Sequence, residues 1–180
     1  MICEMSRAPV IAFASLLACT SADGSAPDAG PAMFIAVRSD FQAYASWSSF
    51  YLGTVPPPDA PDLAGPRTVY INRMPPAGAK AFPVGTIIVK VIEPQSAPQT
   101  WQMFAMVKRG GDFGAGAPGW EWFGLSIDAQ NNVAIDWRGE GPPPDGSYGG
   151  FGTSLGCVVC HAAARGNDYV QTPALQLGAD

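Results

Sequence analysis

Cys157-Val158-Val159-Cys160-His161 is the part of this chain whose residue types and spacing carry the most chemistry. Two thiols separated by two residues, followed at once by an imidazole, spell the attachment site of a c-type haem. The thiols add across the vinyl groups and the histidine is aimed at the iron. His161 is the only histidine among 180 residues. A structural zinc site needs four ligands, and beyond this cluster the chain offers only Cys3 and Cys19. A thioredoxin-like pair wants a βαβ frame and no special residue after the second cysteine. The expectation is one covalently bound haem c, held by Cys157 and Cys160, with His161 as an axial iron ligand.

Few other side chains can join that chemistry. Lys90 is one of three lysines and shares a strand face with Ile88 and Ile92. Apolar surroundings would lower its pKa and free the amine as a nucleophile. The plainer reading has Lys90 snorkelling to solvent from an edge strand. Met103 and Met106 could give a sixth, thioether ligand and a low-spin electron carrier, although a Met in an apolar strand is usually core. With no second histidine, the distal side of the iron is expected to be open.

Net charge is −5 with no block of Lys or Arg, so nucleic-acid binding has no electrostatic footprint. An apolar fraction of 47% suits one domain with a real core, and 21 glycines with 18 prolines argue for strands and long loops. At the amino terminus Arg7 precedes an apolar run from Ala8 to Ala18, too short to span a bilayer. Residues 1–18 therefore read as a signal peptide. Leu16-Leu17-Ala18-Cys19 resembles the cleavage box of bacterial lipoproteins, which makes Cys19 the lipidation site; the alternative is an ordinary secretory signal with an incidental cysteine. Residues 19–33 read as a flexible tether and 34–180 as the haem domain. An exported, periplasmic protein held to the membrane by a lipid anchor is expected, with no cysteine left for a structural disulfide.

These residues must be positioned by the fold. Phe41, Tyr44, Trp47, Phe50 and Tyr51 predict an amphipathic helix over Ser39–Tyr51, capped by Ser39 with Gln42 and ended by Gly53. Strands are predicted at Thr68–Asn72, Thr86–Glu93, Trp101–Lys108, Trp120–Ile127 and Val133–Trp137, the last two joined as a hairpin at Asn131-Asn132. A short helix starting near Ser154 carries the cysteines and stops at Gly166-Asn167. The fold class is α+β, mainly β: an antiparallel sheet flanked by a few helices.

Only 19 residues follow His161 and none is Met, unlike small electron-transfer cytochromes, and five strand-like segments exclude a four-helix bundle. Arg67-Thr68-Val69-Tyr70-Ile71-Asn72, then Phe82-Pro83-Val84-Gly85-Thr86-Ile87-Ile88-Val89-Lys90, then Cys157–Ala162 followed by Asp168-Tyr169-Val170 resemble cytochrome P-460 and the related β-sheet cytochromes c′. The resemblance runs from about Ser39 to Thr172. It implies a cytochrome P-460-like fold, with Lys90 at the haem as the candidate for a covalent cross-link to the macrocycle. It places Phe104 where hydroxylamine-oxidising members carry a distal Glu, as in the apolar, capped pocket of members that bind nitric oxide. Glu93, Asp112 and Glu121 are then candidate replacement acids. Arg67 would serve the haem propionates or polarise a distal ligand. The implied function is binding or oxidation of hydroxylamine or nitric oxide at an open iron site. A partner cytochrome would accept electrons, and the chain would form a homodimer. The alternatives are reversible nitric oxide binding without turnover, and Met-ligated electron transfer.

Overall fold

The structure is a computed structural model that describes residues 33–54, 65–93, 96–114, 116–143, 148–149 and 156–178. The signal segment, Cys19 and the tether up to residue 32 lie outside the described residues, as does Ser154. The tether's last residue, Met33, is bridged to Gly110, and Phe34 N–H donates to the Arg109 carbonyl at 2.8 Å.

The chain builds one sheet in simple sequence order, β1 (Ser48–Gly53), β2 (Arg67–Ile71), β3 (Ile87–Ile92), β4 (Gln102–Lys108), β5 (Trp120–Ile127) and β6 (Val133–Gly139). These six run antiparallel, and β7 (Tyr148–Gly149) adds a short parallel pairing to β6. The fold is therefore mainly β within the α+β class. All five strands expected from β-branched and aromatic runs are present, and the β5–β6 turn carries Asn131 at φ 60°, a conformation asparagine tolerates.

The expected helix over Ser39–Tyr51 is not formed. Two single 3₁₀ turns, Arg38–Phe41 and Tyr44–Ser46, are followed by strand β1. Phe41, Tyr44 and Trp47 recur every third residue, which is the 3₁₀ period rather than the α period. Trp47 then turns to extended backbone (ψ 171°), and Phe50 pairs with Val69 across the β1–β2 ladder. Gln42 does not cap a helix with Ser39. Its amide accepts from Val133 N–H at 3.0 Å and donates to the Val133 carbonyl at 2.9 Å, tying the turn to β6.

Both faces of the sheet are covered, which is why β3 reads as an almost unbroken apolar run. One face packs Phe41 and Tyr44 against Val89, Val91, Met103, Ala105, Val107, Phe123 and Leu125. The other packs Val69, Ile71, Ile88, Met106, Trp120 and Trp122 beneath Val158, Val170 and Leu175 of the carboxyl-terminal segment. Register decides which residues share a face: Val69 pairs with Lys90, and Lys90 with Phe104.

The first face also holds a charge. Glu121 is fully buried, its carboxylate accepting from Arg138 at 2.7 Å and 2.9 Å and from Arg109 at 3.2 Å. Breaking a buried ion pair by removing one partner strands the other charge. Glu121→Leu is expected to cost about 3 kcal/mol of stability, read as a lower denaturant midpoint, with the opposite face undisturbed.

Candidate functional site

The cysteines sit on a five-residue helix, α1 (Cys157–His161), that continues into a 3₁₀ segment, Ala162–Asn167. Gly156 enters it in extended conformation. Val158 is buried against the sheet and docks the helix, while Val159 points to solvent. Helical phase then puts Cys157, Cys160 and His161 on one side, three and four residues apart. That side borders a cavity of about 380 Å³, within the range of ligand sites.

The sheet contributes the facing wall: Arg67 and Val69 from β2, Ile88 and Lys90 from β3, Phe104 and Met106 from β4, and Trp122 from β5. Leu52 and the segment Val170–Pro173 complete the rim. Seven positions singled out from the sequence therefore meet in one place: Cys157, Cys160, His161, Lys90, Phe104, Arg67 and Met106.

Lys90 does not snorkel from an edge, because β3 lies between β2 and β4. Its Nζ stands 5.7 Å from the centre of the Phe104 ring. Burial lowers its pKa, and the positive charge of Arg67 lowers it further. The amine is thus biased toward the neutral, nucleophilic form. Burial likewise pushes the Cys157 thiol up to about 11, so it stays protonated at neutral pH.

Nδ1 of His161 lies 2.6 Å from the Tyr169 carbonyl oxygen. A carbonyl only accepts, so Nδ1 carries the proton and Nε2 keeps its lone pair, the state a metal ligand requires. Trp122 meets the imidazole edge-on, with ring centres 5.9 Å apart. Burial lowers the His161 pKa, the Tyr169 carbonyl opposes this, and the charge of Lys90 adds to the lowering.

The turn behind that carbonyl is unusual. Asp168 and Tyr169 both have positive φ, at 49° and 67°. The Asp168 carboxylate accepts from Lys108 Nζ at 2.7 Å and from the Phe82 N–H at 2.9 Å. Trp122, the Tyr169 carbonyl and the Lys108–Asp168 pair went unassigned in the sequence. Only the scarcity of lysine, with one at the end of an apolar strand, hinted at the last.

Other candidates separate by face. Met106 lines the cavity, but Met103 is buried in the opposite core and cannot reach it. Glu121 is held by its arginines on that other face. Glu93 acts electrostatically on Tyr44 and Tyr70, which also belong there, and Asp112 does not line the cavity. Among the described residues lining the cavity none is Asp or Glu. Among the described residues, too, no three His, Cys, Asp or Glu side chains group as a protein-only metal site.

A haem attached through two thioethers fits this donor set. The thiols border the cavity, the one imidazole offers a single bare nitrogen, and the remaining described walls are mostly apolar, with Arg67 and Lys90 among them. Comparisons with family models, with curated proteins and with solved structures find no match to this chain, so the functional reading stands on the residues and their geometry.

The histidine gives a direct check. Nitrogen-15 spectra of the haem-free full chain, labelled at its single histidine, are expected to show Nδ1 protonated and Nε2 bare. Because the folded pKa lies below the ordinary value of about 6.5, the unfolded chain takes the proton first. This contribution to stability is present above that value and is lost as pH falls from it through the lower folded pKa. Urea midpoints measured on either side should fall with acid, and His161→Gln should flatten that slope.

Proposed function

We propose that this protein is a mono-haem c-type cytochrome similar to the β-sheet cytochromes c′ and cytochrome P-460, and that it binds nitric oxide reversibly at an open iron site. Cys157 and Cys160 would hold the haem and His161 would ligate the iron through Nε2. When bound, the haem supplies an iron centre able to coordinate a small diatomic. The chain's residues supply its surroundings. Phe104 and Met106 line the sheet wall of the cavity and would keep it apolar and exclude water, and Arg67 would meet the propionates. The absence of any carboxylate among the described lining residues is the observation that favours binding over turnover, since substrate oxidation needs a proton acceptor within reach.

One observation favours a second reading. Lys90 stands in the same cavity with its amine biased toward neutrality. That is the condition for bonding to the macrocycle as in cytochrome P-460, where hydroxylamine is oxidised and a partner cytochrome takes the electrons. The amino-terminal segment suits either reading. Haem is attached to such motifs after export, and lipidation at Cys19 would keep the protein on the periplasmic face of a membrane, where a homodimer would also form.

The test is an intact mass and an absorption spectrum of matured protein, followed by titration with nitric oxide and a hydroxylamine assay with an electron acceptor. Expected are one haem adduct on Cys157 and Cys160, a five-coordinate ferrous spectrum, reversible binding and no turnover. Phe104→Glu introduces a proton acceptor and should bring hydroxylamine oxidation to roughly 10²-fold above the background of the unsubstituted protein. Turnover in the unsubstituted protein, with a mass showing Lys90 bonded to the ring, would replace gas binding by oxidation. A sulfur-to-iron charge-transfer band would instead identify Met106 as a ligand. Retained colour after replacing both cysteines would remove the haem c reading.

A further inference from the structure

Resting on the reading of His161 as the iron ligand, we propose that the Lys108–Asp168 ion pair is the positioning device for that histidine. It fixes the Tyr169 carbonyl against Nδ1 and so sets how strongly the imidazole donates to the iron.

The pair is buried and immobilised from several directions. Both side chains are only 11% exposed. Lys108 Nζ donates to Asp168 Oδ1 at 2.7 Å and to the Pro118 carbonyl at 3.1 Å, and lies 4.9 Å from the centre of a Trp120 ring. The other carboxylate oxygen accepts from Phe82 N–H. Asp168 is thus gripped by the end of β4 and by the segment leading into β3.

What the grip holds is strained backbone. Two consecutive non-glycine residues, Asp168 and Tyr169, occupy the left-handed region. Each such residue costs on the order of 1 kcal/mol or more and persists only where its surroundings over-determine it. The result is a carbonyl turned back toward a side chain eight residues earlier in the sequence. Partners of this kind fix the tautomer of a ligating histidine and raise its basicity.

The carboxyl-terminal segment is folded on itself by Asn167, which donates to the Val170 and Leu175 carbonyls at 2.6 Å and 2.9 Å and accepts from Leu177 N–H at 2.7 Å, and it is packed on the sheet by Val170 and Leu175. The Asp168 carboxylate ties its turn to β4 and to Phe82. Lys108 also shares its strand face with Phe104 and Met106, so β4 acts on both sides of the cavity at once.

The experiment uses full-length, haem-loaded protein and its Asp168→Asn, Lys108→Met and Lys108→Arg variants. The ferrous iron–histidine stretch is read by resonance Raman and the reduction potential by titration. Asp168→Asn and Lys108→Met should each move the stretch to lower frequency and raise the potential, with the haem mass unchanged; Lys108→Arg should restore both. If stretch and potential stay fixed in both variants while only the thermal midpoint drops, the pair is structural and the proposal fails. A missing iron–histidine band in the unsubstituted protein would overturn the ligand reading itself, before any variant is compared.

Discussion

The hydrogen bond from His161 Nδ1–H to the Tyr169 carbonyl is the constraint on which the site depends. Without it the imidazole of a short helix could rotate, change tautomer and present either nitrogen to the cavity. With it, one nitrogen is committed and the other is aimed. The bond exists because the chain reverses through two left-handed residues, and that reversal exists because a buried carboxylate is held from two sides. The proposed metal ligand is therefore oriented by elements far away in sequence, which is how a five-residue helix can be a rigid platform.

The sheet makes this possible by keeping its charges apart. Glu121 and its arginines sit on one face, and Lys90, Arg67 and Lys108 on the other. Alternation along a strand sends neighbours to opposite sides, so β4 delivers Met103 to a dry core and Met106 to the cavity. A one-residue slip of β4 would exchange them, and one of β3 would bury Lys90 among Phe41, Tyr44 and Met103. The near-complete burial of both faces makes such a slip very costly.

Much of this was legible in the sequence. The five expected strands are present because β-branched and aromatic runs bounded by Gly, Pro or Asn have few alternatives. Cys157, Cys160 and His161 were legible as a motif; Lys90 and Phe104 meet through strand register, and the helix reaches them because Val158 docks it on that face. The aromatic segment was misread because Phe41, Tyr44 and Trp47 satisfy a three-residue period as well as a helical one. The hydrogen bonds that would have decided, from Gln42 to Val133, lie across the molecule. The partner of His161 was invisible for a different reason. It is a backbone carbonyl, and its direction depends on φ angles that no side chain at Asp168 or Tyr169 announces.

The electrostatics of the cavity bear on what occupies it. Arg67 and Lys90 both line it, and burial first and the charge of Arg67 second lower the Lys90 pKa. A haem would add two propionates, negative charges that oppose that lowering. A propionate engaging Arg67 would weaken the smaller of the two causes that lower the Lys90 pKa, while burial would remain. The group that fills the cavity would thus itself tune whether Lys90 behaves as a nucleophile or as a cation.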